Sequence, residues 1–548
     1  MSALFSISGF LGVIIHGLDL IAQSVLLGSV LYLLLLAQPL AARLGVNAGL
    51  ILAQTRRVIQ FAALAEIILI ASSTALNAAV LQSSLDMAWG DIASAGFVHT
   101  GMAKLVAALA MLLIASWRPL ELLSTRAALA LLCVAVIAAA LADSHAVARL
   151  DGRAAMLLAS ALHQIGAALW LGGLPCFALA LAKVSPGSSL ALIGSRYSAM
   201  AMGGVAMIVI GAVWLSIGYI GSLDGFYGTA YGAMAATKGV LLSALLLLGL
   251  GNFLSIRHFA GQAASFGRVR RFVGIEIGIA IAILMAAASI TSLPPAIDLT
   301  NDRVSFGEIM QRMAPVVPRL ASPDRATLGT PVSQAEIDRT WQLNAQASAP
   351  GATAFPPRSA AHIAWSEYNH HWAGVIVLLI GLFAFAERSG YVPWAKHWPL
   401  LFLLLAGFLF LRNDPDAWPL GPIGFLDSLH DPEVVQHRLF VLITIAFAFF
   451  EWGVRTGRLK RQSLALVFPL LTVVGATFLL AHSHAISNVK DQLLIELTHL
   501  PMAVLGIVAG WTRWLQVKDP AGDGRWAGWI WPVCFVLIGL LLLDYREA

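Results

Sequence analysis

Leu141-Ala142-Asp143-Ser144-His145-Ala146, followed by Leu162-His163-Gln164-Ile165-Gly166-Ala167-Ala168-Leu169-Trp170-Leu171-Gly172-Gly173, sets one histidine where an apolar run ends and a second well inside the next run. Both runs are long enough to cross a hydrocarbon layer of about 30 Å, which takes about 20 helical residues. The same pattern recurs along the whole chain. With 59% of its 548 residues hydrophobic and only 11% charged, the sequence departs far from a soluble globular composition. It predicts an all-α, polytopic helical membrane protein.

With polar breaks as boundaries, the chain divides into spans near residues 9–38, 58–83, 98–116, 126–144, 154–182, 196–220, 231–255 and 272–293. A polar stretch rich in Pro, Ala, Ser and Thr follows, and then spans near 367–387, 397–411, 437–454, 463–482, 490–512 and 527–544. This predicts about 14 transmembrane helices in three parts: a membrane domain over 1–295, a periplasmic linker over 296–365 and a second membrane domain over 366–548. The first run has no Lys or Arg before it and no small-residue cleavage signal, so it is expected to be a retained span. The outer loop Asn413–Pro422, dense in turn residues and tryptophan, is expected to lie as a lid at the membrane interface.

An amino terminus outside the membrane places 20 of the 34 Lys and Arg in the short inner loops, among them Arg56 and Arg57, the Arg268–Arg271 group and the Arg455–Arg461 group. This is the positive-inside pattern, and in a bacterial inner membrane it puts both termini in the periplasm. The net charge of +5 follows from that loop bias and gives no reason to expect nucleic acid as a partner. Cys133, Cys176 and Cys534 all fall within apolar runs without CxxC spacing, which excludes a disulfide framework and a thiolate metal site and predicts packing residues.

In this topology twelve of the fourteen histidines lie on the outer side or in the outer half of a span. Surface histidines have no preference for one side, whereas a metal or haem site facing outward collects them there. A shift of eight spans pairs Ser144-His145-Ala146 with Ser483-His484-Ala485, His163 with His499, His99 with His437, and His16 with His370 or His371. The pairing suggests a parallel internal repeat. His163, ten residues past Arg153, sits about 15 Å deep at 1.5 Å per residue, and His499 lies at a similar depth. Imidazole buried there needs a compensating partner. The candidate metal ligands are therefore His16, His99, His145 and His163 in the first half, and His371, His437, His484 and His499 in the second.

Glu496, three residues before His499, is placed to fix that ring's tautomer or to ligate directly. Glu66, Lys104 and Lys238 are intramembrane charges, each unfavourable by roughly 2.5–3.5 kcal/mol when unpaired at the membrane centre. Glu66 is therefore expected either to pair with one of the lysines or to take part in proton or ion passage. Glu276, just inside a basic loop, is expected to pair with Arg271 or a nearby arginine.

The run from Leu162-His163 to Trp170-Leu171-Gly172-Gly173, then Tyr231-Gly232, Lys238, Asn252, Glu276 and Pro294-Pro295, resembles the CopD (PcoD) copper resistance membrane family, most clearly over about 155–295. The resemblance implies an inner-membrane protein that moves copper ions from periplasm to cytoplasm, often beside a small CopC-like periplasmic copper-binding protein. The residues beyond about 360 exceed the shorter members. Imidazole ligands suit Cu(I), Cu(II) and Zn(II) alike. No Walker motif or phosphorylation loop suggests a nucleotide drive, and no catalytic residues stand out, so a non-enzyme is expected. Two alternatives remain: a b-type haem electron-transfer protein, and a copper-binding or assembly factor that does not transport.

Overall fold

The structure is a computed structural model describing residues 2–85, 87–149, 151–183, 188–259, 263–324, 360–412, 414–481 and 489–547, together with Leu328. Its described residues form helices and loops with no strand, only a single bridge between Ala417 and Ile423. Fourteen helical segments among them are long and apolar enough to span a membrane, and the protein is a multi-pass helical membrane protein.

One unit comprises residues 12–222 and 238–297. The helices that supply it are α1 (Ser2–Tyr32), α2 (Val46–Leu85), α3 (Gly96–Trp117), α4 (Leu123–Ala142), α5 (Arg153–Ala167), α6 (Ser188–Tyr219), α7 (Ala230–Phe259) and α8 (Ala263–Thr291). α2 runs through Arg56 and Arg57, a pair that the sequence reading took as a loop. Arginine is a good helix former, so a helix need not stop where its membrane segment does. Within this unit α5 packs along α6, α2 along α3, and α3 along α4.

Two short π-helical segments, Leu33–Ala37 after α1 and Ala168–Gly172 after α5, interrupt otherwise regular helices. The second one contains Trp170-Leu171-Gly172, and its small residues serve a close backbone approach. A Cβ on Gly172 would stand 1.8 Å from the carbonyl oxygen of Ser24, and one on Gly28 would stand 2.2 Å from the carbonyl carbon of Gly172. Trp170 is buried, and its carbonyl accepts a 2.6 Å hydrogen bond from the Tyr197 hydroxyl. Tyr197 in turn stacks on Phe177 with ring centroids 4.2 Å apart.

The other unit comprises residues 1–11, 223–237 and 298–548. Its main helices are α9 (Ala360–Ser389), α10 (Leu401–Arg412, entered through a 3-10 turn over Pro393–Leu400), α11 (Pro432–Arg455), α12 (Val467–Leu479), α13 (Val489–Lys518) and α14 (Gly524–Leu543). α14 packs against both α9 and α13, and an aromatic core of Trp398, Phe402, Phe447, Phe468, Trp531 and Phe535 fills the space between helices. At the end holding Arg455, Glu387 of α9, Glu451 and Arg455 of α11 and Arg513 of α13 form a buried network. Glu451 accepts from Arg455 and Arg513, each at 2.7 Å, while Arg455 also meets Glu387. The guanidinium of Arg455 lies over the rings of Trp398 and Trp531.

At the opposite end the loop after α10 folds back on itself. Arg438 donates 2.6 Å to the Trp418 carbonyl and covers the Phe410 and Phe425 rings. Nearby, the short helix Phe306–Arg312 opens with a capping box in which the hydrogen bonds from Ser305 hold the Glu308 carboxylate below its usual range. Arg312 reaches the carbonyls of Arg546 and Glu547, and Asp544 accepts from the Val316 N–H at 3.0 Å, so the carboxyl-terminal tail is tied to this segment.

Two substitutions test this packing. Gly172→Ala drives a methyl group into backbone and is expected to cost about 1–3 kcal/mol or more, whereas Gly203→Ala, with nothing within 4 Å of the added carbon, should leave stability equal or improved. Glu451→Gln leaves two buried guanidinium groups facing one remaining carboxylate and should cost about 3–5 kcal/mol. Thermal unfolding of the detergent-purified variants reads both.

Candidate metal site

The eight predicted histidines fall into different settings. His16 on α1 lies within electrostatic reach of Asp19, Lys104, Asp143 and His145. His145, exposed just beyond α4, donates from Nε2 to the Thr291 carbonyl at 3.2 Å. His99 is exposed in the first turn of α3. His163 stands apart from these: its Nδ1–H donates to the Ile208 carbonyl of α6 at 3.2 Å, its backbone packs on Gly211, and Lys238 is the charge nearest to it in effect. The first four histidines therefore do not share one centre. His16 and His145 lie within electrostatic reach of each other, and among the described residues no three such groups gather into a metal-holding set.

Glu66, expected to meet a lysine, lies 3.7 Å from Lys104, which also holds Asp19 at 2.9 Å. Lys238 is the lysine that Glu66 does not use. Glu276 corrects its expectation: its partner is the Asn252 amide at 2.8 Å, reached across from α7 to α8, and not Arg271. An amide one helix away satisfies a buried carboxyl group without importing a second desolvated charge.

In the second unit the adjacent residues His370 and His371 exchange the expected roles. His371 is buried with both ring nitrogens engaged by backbone: Nδ1 accepts from the Arg319 N–H at 2.7 Å, and Nε2–H donates to the Tyr545 carbonyl at 2.8 Å. Neither nitrogen is left to ligate. His370, which the candidate list omits, lies with its ring centroid 6.1 Å from that of His499 and stacks on Tyr545 at 3.7 Å. His437 and Glu547 are within electrostatic reach of both His370 and His499. His484 lies outside the described residues.

His370, His437 and His499 come from α9, α11 and α13 and share one local geometry. Each ring donates from Nδ1–H to the carbonyl four residues earlier in its own helix: Ser366 at 2.9 Å, Glu433 at 2.8 Å and Ile495 at 3.0 Å. A carbonyl can only accept, so each ring is the Nδ1–H tautomer and Nε2 carries the lone pair. The Ile495 carbonyl thus does for His499 what the sequence reading assigned to Glu496, whose side chain does not reach Nδ1. Glu547 completes the surroundings, accepting from the Tyr545 hydroxyl at 2.7 Å and from the Ser366 hydroxyl. Among the described residues no three of these groups close on a single point at ligating distance.

A signal for choosing His370 over His371 was within reach only in part. Neighbouring helical residues point about 100° apart, and the period of 3.6 residues places His370 on one stripe with Ser366 and His371 on another. Which stripe faces the other histidines depends on the tail at Tyr545, 174 residues away.

The chain is a multi-pass helical membrane protein with histidines from three helices gathered at one end of its second unit. Residues 191–290, which run through α6, α7 and most of α8, match the CopD family, copper resistance protein D. A relative, "Copper transport protein CutJ" of Bacillus subtilis (strain 168), is 33% identical over 141 residues, which amount to 25% of this chain and 25% of that protein. The match thus spans about a quarter of the relative's length. No solved structure matches the chain. The chain therefore carries a segment similar to the CopD family, and the resemblance read from Tyr231, Lys238, Asn252 and Glu276 is borne out there.

His371→Ala should destabilise the second unit by about 1–3 kcal/mol for each backbone group it leaves buried without its partner. His370→Ala loses the stacking on Tyr545 but leaves no backbone group of a distant segment without its partner, and should lower the unfolding temperature less. Parallel thermal unfolding of the two variants distinguishes an imidazole that holds the fold from one that does not.

Proposed function

We propose that this protein binds copper and moves it across the bacterial inner membrane from the periplasm toward the cytoplasm, with both termini in the periplasm. The observation that carries this reading is the gathering of His370, His437 and His499, imidazoles from three helices that each donate Nδ1–H to a backbone carbonyl. The CopD-family segment and the name of the relative support copper as the ion. Copper is the cargo, and its arrival draws the three rings onto a common point. Imidazole accepts both Cu(I) and Cu(II), and a neighbouring carboxylate such as Glu547 adds charge that favours the cation.

The positive-inside distribution supports the orientation, placing this histidine cluster on the periplasmic side. There a small CopC-like protein can deliver copper before it enters the bundle. The carboxyl-terminal part from about 366 is a second membrane domain, following the CopD-like part that ends near 295. No catalytic turnover is part of this reading.

Metal content and the absorption spectrum of the detergent-purified protein test the proposal, with wild type beside His370→Ala, His371→Ala, His437→Ala, His499→Ala and His163→Ala. Copper bound by wild type and lost in the 370, 437 and 499 variants, but kept in the other two, supports it. A Soret band that disappears with the same substitutions replaces it with a b-type cytochrome. Bound copper without uptake into sealed proteoliposomes replaces transport with storage or assembly.

A further inference from the structure

In the unit of residues 12–222 and 238–297, ionisable side chains from three helices meet inside the bundle. Lys104 of α3 lies 2.9 Å from Oδ2 of Asp19 on α1 and 3.7 Å from Oε1 of Glu66 on α2. The Glu66 side chain is 0% exposed, that of Asp19 10% and that of Lys104 12%. Oδ1 of Asp19 and both oxygens of Glu66 lack a hydrogen-bond partner among the described residues.

The charge count does not close. Two carboxylates face one ammonium, which leaves one negative charge in excess in the apolar layer. The other groups facing the cluster are His16 on α1 and, beyond the end of α4, Asp143 and His145, with Thr100 of α3 hydrogen-bonded to Asp143. None of these is a second permanent cation. An unneutralised charge at this depth is strongly disfavoured, and two carboxyl groups that share one counter-charge divide a proton between them. Asp19 is the member at hydrogen-bond distance from Lys104. Glu66 is further away and fully enclosed.

We propose that Asp19, Lys104 and Glu66 form a proton-binding site in the membrane interior, with the proton on Glu66, and that a cation meeting the adjoining polar groups His16, Asp143 and His145 expels it. The O–H bond of the Glu66 carboxyl group breaks, its electron pair stays on the carboxylate, and the proton leaves to water. Nothing is oxidised or reduced. One monovalent cation in and one proton out leaves the charge of the cluster unchanged, so ion entry needs no further compensation. The proton site stands on its own geometry; the choice of copper as the cation rests on the function proposed above.

Infrared spectra of the detergent-purified full-length chain in H2O and D2O test the site by the carbonyl stretch of a protonated carboxyl group. A band present in wild type at neutral pH, lost in Glu66→Gln and displaced but retained in Glu66→Asp is the expected result. In Lys104→Gln the band should grow, because the cluster then holds no ammonium to offset a carboxylate. No band in wild type, or a band untouched in both Glu66 variants, overturns the site.

Calorimetric titration with Cu(I) in two buffers of different protonation enthalpy tests the coupling, and wild type should release about one proton per copper more than Glu66→Gln. Equal release overturns the coupling. Wild type that carries the band and binds no copper overturns the copper reading and with it copper as the expelling cation, while the proton site stands.

Discussion

Helices surrounded by lipid gain little by hiding apolar side chains from one another, because the lipid is as apolar as they are. What holds such a bundle together is close backbone contact and the pairing of polar groups that lipid cannot solvate. Each unit of this protein uses both means. In one, Gly28 and Gly172 let α1 approach the π segment after α5, and Lys104 ties α1, α2 and α3 through Asp19 and Glu66. In the other, Glu387, Glu451, Arg455 and Arg513 lace α9, α11 and α13 around Trp531.

The two charge clusters differ in a way that matters for what each can do. Two arginines face two glutamates in the second unit, so the formal charges of that network balance. Its guanidinium groups cannot give up their protons. Such a cluster is suited to holding helices in register. The first unit sets two carboxyl groups against one lysine, and a cluster with an odd charge is suited to changing state.

The number of spans was legible because length and hydropathy alone decide it, and all fourteen were placed close to the helices found. The ends were less so. α2 and α6 begin well before their apolar runs, since nothing in a helix-compatible polar stretch tells the chain to stop at the membrane surface. The π segments were invisible to a reading based on regular periodicity, although the glycines that accompany one of them stood out. At the candidate site, histidine spacing singled out His437 and His499, which the structure sets within electrostatic reach of one another. His371 was preferred to its neighbour because both residues fit the same pattern, and the groups that occupy it, Arg319 and Tyr545, arrive from segments far apart in the chain. Glu276 was assigned an arginine because sequence proximity favours one; the bundle supplies Asn252 instead.

The three cysteines, read as packing residues, are all buried and free. Cys133 and Cys176 lie in one unit and Cys534 in the other. A thiol enclosed in this way reacts with an alkylating reagent only while its surroundings open, so the rate at which each is labelled measures the frequency of that opening. The protein thus carries an internal clock in each unit, one that compares their breathing without a foreign label.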